Sequence, residues 1–186
     1  QQLAFFHGYY DEHCYLPLLV FAQAEGVGEQ ELVAAVLRPG NVHAGHRALA
    51  VIKRVVARLR EAFPHCALEL RADSGLALPE VYDGGERMGL PYTISLAKNE
   101  RLKRLLEPWM EQARALHEET GEKATVFAEF HYAAETWPHE RRVIAKAEVM
   151  REGENPRFVV TNRTDSEAEG LYRHYCQRGD PENRIK

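Results

Sequence analysis

Apolar residues recur along this chain with two periods, close to two and close to 3.6, and the alternation between them outlines the elements. Residues Cys14–Ala22 are apolar nearly throughout, which predicts a buried strand ended by Glu25-Gly26. Pro17 argues against a fully bonded central position for it. Leu32–Leu37 predicts the next strand, and the short Gly26–Gly28 break between them predicts an antiparallel hairpin. Leu49, Ile52, Val56, Leu59 and Phe63 then form a stripe at helical spacing, predicting a helix over Gly45–Ala62 with Arg47, Arg54 and Arg58 mostly opposite.

Ala67–Asp73 alternates again, with Leu68, Leu70 and Ala72 on one side and Glu69, Arg71 and Asp73 on the other. A short helix over Pro79–Met88 and a strand over Tyr92–Ala97 follow. Asn99 is placed to cap a second amphipathic helix through Leu102, Leu105, Leu106, Trp109, Ala113 and Leu116, which Pro108 should kink or restart. Three β runs come next, Thr125–Ala134, Arg142–Met150 and Arg157–Thr161, before helix resumes through Leu171 and Tyr175. This order of elements is that of an α/β protein.

Composition narrows the class. The 186 residues suffice for one elaborated domain or a small pair, and 45% hydrophobic with 28% charged residues is ordinary for a soluble protein. No apolar run approaches the roughly 20 residues of a membrane span, and no basic-then-apolar leader is seen. Three scattered cysteines, Cys14, Cys66 and Cys176, do not suggest a disulfide framework and fit a reducing compartment. The net charge of −4 confines any nucleic-acid contact to a local basic face.

Several residues could carry chemistry. Asp73 ends its strand at Ser74-Gly75, where α/β sheets gather their ligand sites, although Asp-Ser-Gly is also ordinary turn chemistry. Tyr175, Arg178 and Glu182 stand at spacings of three and four, which on one helix would share a face. A carboxylate offers hard oxygen to a divalent cation and a guanidinium grips phosphate oxygens. Asp180-Pro181 supports a second reading, in which a new helix starts there and Glu182 only complements its dipole. Lys98, Arg101, Lys103 and Arg104 form either a phosphate-binding patch or a solvated helix start. Trp137 is either an exposed aromatic for base stacking or a core or turn tryptophan. His13-Cys14, His43-x2-His46 and His65-Cys66 lack the paired cysteines of a zinc site.

Taken together, the Tyr-x2-Arg-x3-Glu run at Tyr175, Arg178 and Glu182 and the Arg71-Ala-Asp73-Ser-Gly75 motif resemble the DDE transposase group 1 family of bacterial insertion sequences. Ala4–Tyr15, Leu37–His43, Ser95–Leu102 and Phe158–Asn162 resemble the same group, so the likeness spans essentially the whole chain. The family's lysine after the glutamate would fall beyond Lys186, and its first aspartate upstream of Gln1.

The resemblance implies an RNase H-like mixed sheet flanked by helices, with a β-rich insertion before the last helix and the first strand missing. The expected division is a core over 1–119, the insertion over 120–162 and a completing helix over 163–186, with a gap between the Cys14–Ala22 and Ala67–Asp73 strands. It implies that Asp73 and Glu182 bind two Mg²⁺ ions, with Mn²⁺ as substitute, and act catalytically. Tyr175, Arg178, Lys98, Arg101 and Trp137 would contact DNA. The expected activity is cleavage of transposon-end phosphodiesters and strand transfer into target DNA by a homodimer or higher multimer, in the cytoplasm on the nucleoid and not at a membrane. This segment alone is expected to be inactive. The alternatives are an RNase H-like metal nuclease without strand transfer and a non-catalytic DNA-binding remnant.

Overall fold

A computed structural model describes residues 4–8, 11–27 and 29–177. The chain divides into two compact units, Gln1–Leu68 and Glu69–Lys186. The expected segment boundaries near 119 and 162 both fall inside the second unit.

In the first unit, β1 (Phe5–His7) pairs antiparallel with β2 (Glu12–Cys14), and β3 (Leu18–Ala22) pairs antiparallel with β4 (Glu31–Val36). The expected hairpin is therefore present, with a bulge at Val20/Phe21 and Gly26 at φ 78° in its turn. The expected single strand over Cys14–Ala22 is corrected. It is two strands, β2 and β3, separated at Pro17, which has no N–H to continue a ladder. Helix α1 (Ala48–Ala62) follows, burying Ala48, Ile52 and Val56.

Arg38 ties this unit together. Its buried guanidinium donates to the carbonyls of Leu16, Ala44 and His46, joining the segments on either side of the hairpin to the entry of α1. Gly40 lies against the Cys14 and Phe5 carbonyls, so close that a Cβ would overlap both.

The second unit is built on one mixed sheet. Its elements are β5 (Leu70–Ala72), α2 (Pro79–Arg87), β6 (Tyr92–Leu96), α3 (Glu100–Thr120), β7 (Ala124–Tyr132), β8 (Arg141–Met150), β9 (Gly153–Glu154), β10 (Arg157–Thr161) and α4 (Ala168–Cys176). The strand order is β5-β6-β10-β8-β7, with β9 also on β8. Among the described residues of this sheet, only the β5–β6 pair is parallel. The strands expected as a β-rich insertion thus continue the sheet that contains β5 and β6. At the other edge, β5 has no second partner among the described residues, and β3 pairs with β4 in a separate sheet of the first unit.

Both faces of β8 are covered, and its charged residues Arg141, Arg142, Lys146 and Glu148 are held in ion pairs. Ile144 packs with Leu171, Tyr172 and Tyr175 of α4 on one face. Arg141 reaches Asp83 and Glu86 of α2 on the other, and Trp109 of α3 meets Phe130 on that same side. α3 buries Leu102, Leu106, Met110 and Ala113, is capped by the Asn99 side chain at its start, and closes on Gly121 at φ 69°. Of the kink or restart expected at Pro108, the restart is corrected: α3 runs unbroken through it. Pro108 is exposed, so the carbonyl it leaves without an amide partner can turn to water.

Candidate active site and its neighbours

Asp73 stands where its alternating segment predicts, directly after β5. Its backbone is extended, and its Oδ1 accepts from the Gly75 amide at 2.9 Å, capping a 3₁₀ turn over Ser74–Leu76. The turn role weighed from the sequence is therefore real. It uses one carboxylate oxygen, and the side chain is otherwise exposed.

The parallel register sets Ala72 opposite Ile94, so β5 and β6 end on the same side of the sheet. Lys98, two residues past β6, is exposed at that end. Its neighbours on α3 are more constrained. Arg101 donates to the Ala133 carbonyl at 3.0 Å and lies over the Tyr132 ring, while Lys103 pairs with Glu100 at 2.7 Å.

α4 brings Tyr175 to the same place. Tyr175 packs with Leu171, Tyr172, Ile144 and Val159, and its hydroxyl donates to the Ala72 carbonyl at 3.2 Å, one residue from Asp73. The phosphate contact expected of Tyr175 has little surface to use, because the phenol is only 8% exposed and its hydroxyl bonds to the Ala72 carbonyl. What it does is fix α4 to the end of β5. Arg178 and Glu182 lie outside the described residues.

Trp137 is also corrected from an exposed stacking residue to a core one. It is 9% exposed, with Tyr82 and Tyr132 edge-on at 5.0 and 5.5 Å and the Arg141 guanidinium 5.5 Å from its centroid. A ring so enclosed has no free face for a base.

Arg141 is the centre of a cluster that the sequence did not reveal. It donates to Asp83 at 2.5 Å and to Glu86 at 2.8 and 3.1 Å, and Tyr92 adds its hydroxyl to Glu86 at 2.9 Å. Burial by itself would raise the Glu86 carboxyl, but the bonds from Arg141 and Tyr92 outweigh it and hold the group below its ordinary range. Asp83, Glu86 and His139 offer ligand atoms within 4.8 Å of one another. The guanidinium already donates to both carboxylates and occupies the space between them, so the arrangement suits an ion-pair clamp between α2 and β8 better than a cation site. The i, i+3 acids of α2 were the only hint of it in the sequence.

Among the described residues, neither His43 nor His46 belongs to a group of potential metal ligands; His43 Nδ1 accepts from the Gly45 amide. No helix of the described residues is long and apolar enough to cross a membrane.

Asp73 therefore supplies one exposed hard-oxygen donor at a sheet end, beside an exposed lysine and the last turn of α4. This is the right donor chemistry for Mg²⁺, with further carboxylates required to complete a site. No curated protein matches the chain. The family model for the transposase DDE domain, group 1, matches residues 1–186, the entire length. Members of that family generally use divalent metal ions, as the chemistry of Asp73 would suit. By that match the chain belongs to the transposase DDE domain group 1 family.

Proposed function

We propose that this chain is the catalytic region of a DNA transposase, cutting transposon-end phosphodiesters and transferring the ends into target DNA. The observation that carries the reading is the Tyr175–Ala72 hydrogen bond. It joins the helix leading into the Tyr-x2-Arg-x3-Glu run to the strand that ends at Asp73. Glu182 follows Gln177, the last described residue, by five positions. A chain that long reaches at most about 17 Å.

In this reading Asp73 and Glu182 hold divalent ions, Mg²⁺ or in its place Mn²⁺. Ions held there would supply an activated oxygen nucleophile and a stabilised leaving oxygen. Arg178 and Lys98 bind the phosphates beside the cut, and Arg101, being tied to Ala133, acts more at the margin. Tyr175 contributes by positioning. The RNase H-like division of the chain, the work of a multimer on double-stranded DNA and a nucleoid location belong to the same proposal.

Supercoiled plasmid carrying the element's own ends tests it, incubated with full-length protein and Mg²⁺. Asp73→Asn and Glu182→Gln should each lower end cleavage by at least about a thousandfold. Cleavage that survives both substitutions would refute the assignment.

A further inference from the structure

The last turn of α4 is held to β5 by more than Tyr175. Arg71 Nη1 donates to the His174 carbonyl at 2.9 Å. The His174 ring nitrogen Nε2 lies 2.9 Å from Glu69 Oε2, and Arg163 Nη1 reaches the same oxygen at 2.9 Å. Arg163 in turn grips Asp165 through two further bonds of 2.9 Å. Glu69 and Arg71 flank Leu70 on one side of the strand, and Asp73 follows on that same side two residues later.

We propose that Arg71, Glu69 and His174 form a positioning latch, which sets the last turn of α4 against the strand end that carries Asp73. The contacts have the right chemistry. The final carbonyls of a helix lack intrahelical partners and carry partial negative charge. Arg71 supplies a cation to one of them from the strand, in addition to Arg173 and His174 of the turn itself. At Gln177 the helix tightens, and the Gln177 amide bonds to the His174 and Tyr175 carbonyls. Arg71 therefore acts at the point where the chain leaves α4 toward Arg178 and Glu182. Glu69 holds the side chain of the residue whose carbonyl Arg71 holds, so His174 is gripped at both ends. None of these residues need touch substrate.

This inference rests on the proposed reading of Asp73 as a metal ligand, and its test separates the two. Hydrogen exchange on the 186-residue chain gives the first readout. The amides of the last turn of α4 should exchange about tenfold faster in Arg71→Met and about threefold faster in Glu69→Gln, with α3 unchanged. Mn²⁺ titration followed by electron paramagnetic resonance gives the second. Binding should weaken about threefold in both variants, and Arg71→Lys, which keeps a donor and its charge, should recover part of each loss. Glu69→Gln is nearly isosteric and keeps the question open should Arg71→Met not fold. Unchanged α4 exchange in both variants would overturn the latch. Faster exchange with unaltered Mn²⁺ affinity would overturn its positioning role. Should Asp73→Asn leave Mn²⁺ binding intact, the metal-site reading fails instead, whatever the exchange rates show.

Discussion

Arg141 holds Glu86 by two hydrogen bonds, 2.8 Å to Oε1 and 3.1 Å to Oε2, while its side chain is 3% exposed and that of Glu86 29%. Replacing the arginine by methionine would leave two half-buried carboxylates facing each other without a counter-charge. Breaking a buried pair in this way costs roughly 3–5 kcal/mol, and the partial exposure of the acids moves the expectation to about 2–3 kcal/mol. Urea unfolding of Arg141→Met measures it. A loss below about 1 kcal/mol would show that the clamp contributes little.

Glu148 makes acid stability predictable. Burial opposes its charge, but bonds from Lys146, Asn155 and Lys123 prevail and hold its carboxyl at about 2. A depressed folded-state value means that the unfolded chain binds the proton first as pH falls. The stabilisation is therefore present in full above the ordinary glutamate range, near 4.5, and is lost progressively down to about 2. It amounts to roughly 3 kcal/mol. In Glu148→Gln the acid limb of the stability curve should flatten over that window.

Pro108 sits on the exposed side of an unbroken helix. It removes one helical hydrogen bond and supplies no buried contact in return. Pro108→Ala is expected to raise the urea midpoint, by an amount equivalent to about 1–3 kcal/mol. A lowered midpoint would mean that the ring packs in a way its exposure does not suggest.

Gly40→Ala places a methyl group on the Cys14 and Phe5 carbonyls. Backbone oxygens cannot swing aside as a side chain can, so about 1–3 kcal/mol should be lost from the first unit. Amide resonances of Phe5–His7, Glu12–Cys14 and Tyr15 should shift or broaden, with those of β7 and β8 unmoved. Spectra that are unaltered around Cys14 would contradict the close approach.

Trp137 and Lys98 separate folding from DNA contact. Trp137→Ala should cost about 3–5 kcal/mol of stability. Lys98→Ala should leave stability within about 0.5 kcal/mol and lower the salt dependence of DNA binding by about one ion. The opposite pattern would restore the stacking role of the tryptophan.

The sequence made the strand ending at Asp73 legible because Leu68, Leu70 and Ala72 alternate with charged residues up to a Ser-Gly break. It made α3 legible because Leu102, Leu106 and Ala113 share a face. Neither pattern says which strand pairs with which. β10 lies between β6 and β8, an arrangement set by long-range ladders such as Thr161 opposite both Thr93 and Arg142. Trp137 and Arg141 were hidden for a related reason. An aromatic beside a proline and an arginine beside another arginine look like a polar turn until α2 brings Tyr82 and its two acids over them. At the site, Asp73 was visible from its motif, whereas the inward direction of Tyr175 depends on how α4 packs across β5.

β5 is the shortest strand on its sheet path, and among the described residues it is paired along one side only. A strip fastened along one edge swings like a leaf on a hinge. The placement of Asp73 thus depends on side chains reaching across from α4 more than on the ladder beneath it. Gentle warming should free this leaf while β7, β8 and β10 stay in register. A protein built this way loses its working geometry several degrees before it loses its fold, and an activity assay would register heat damage that circular dichroism does not see.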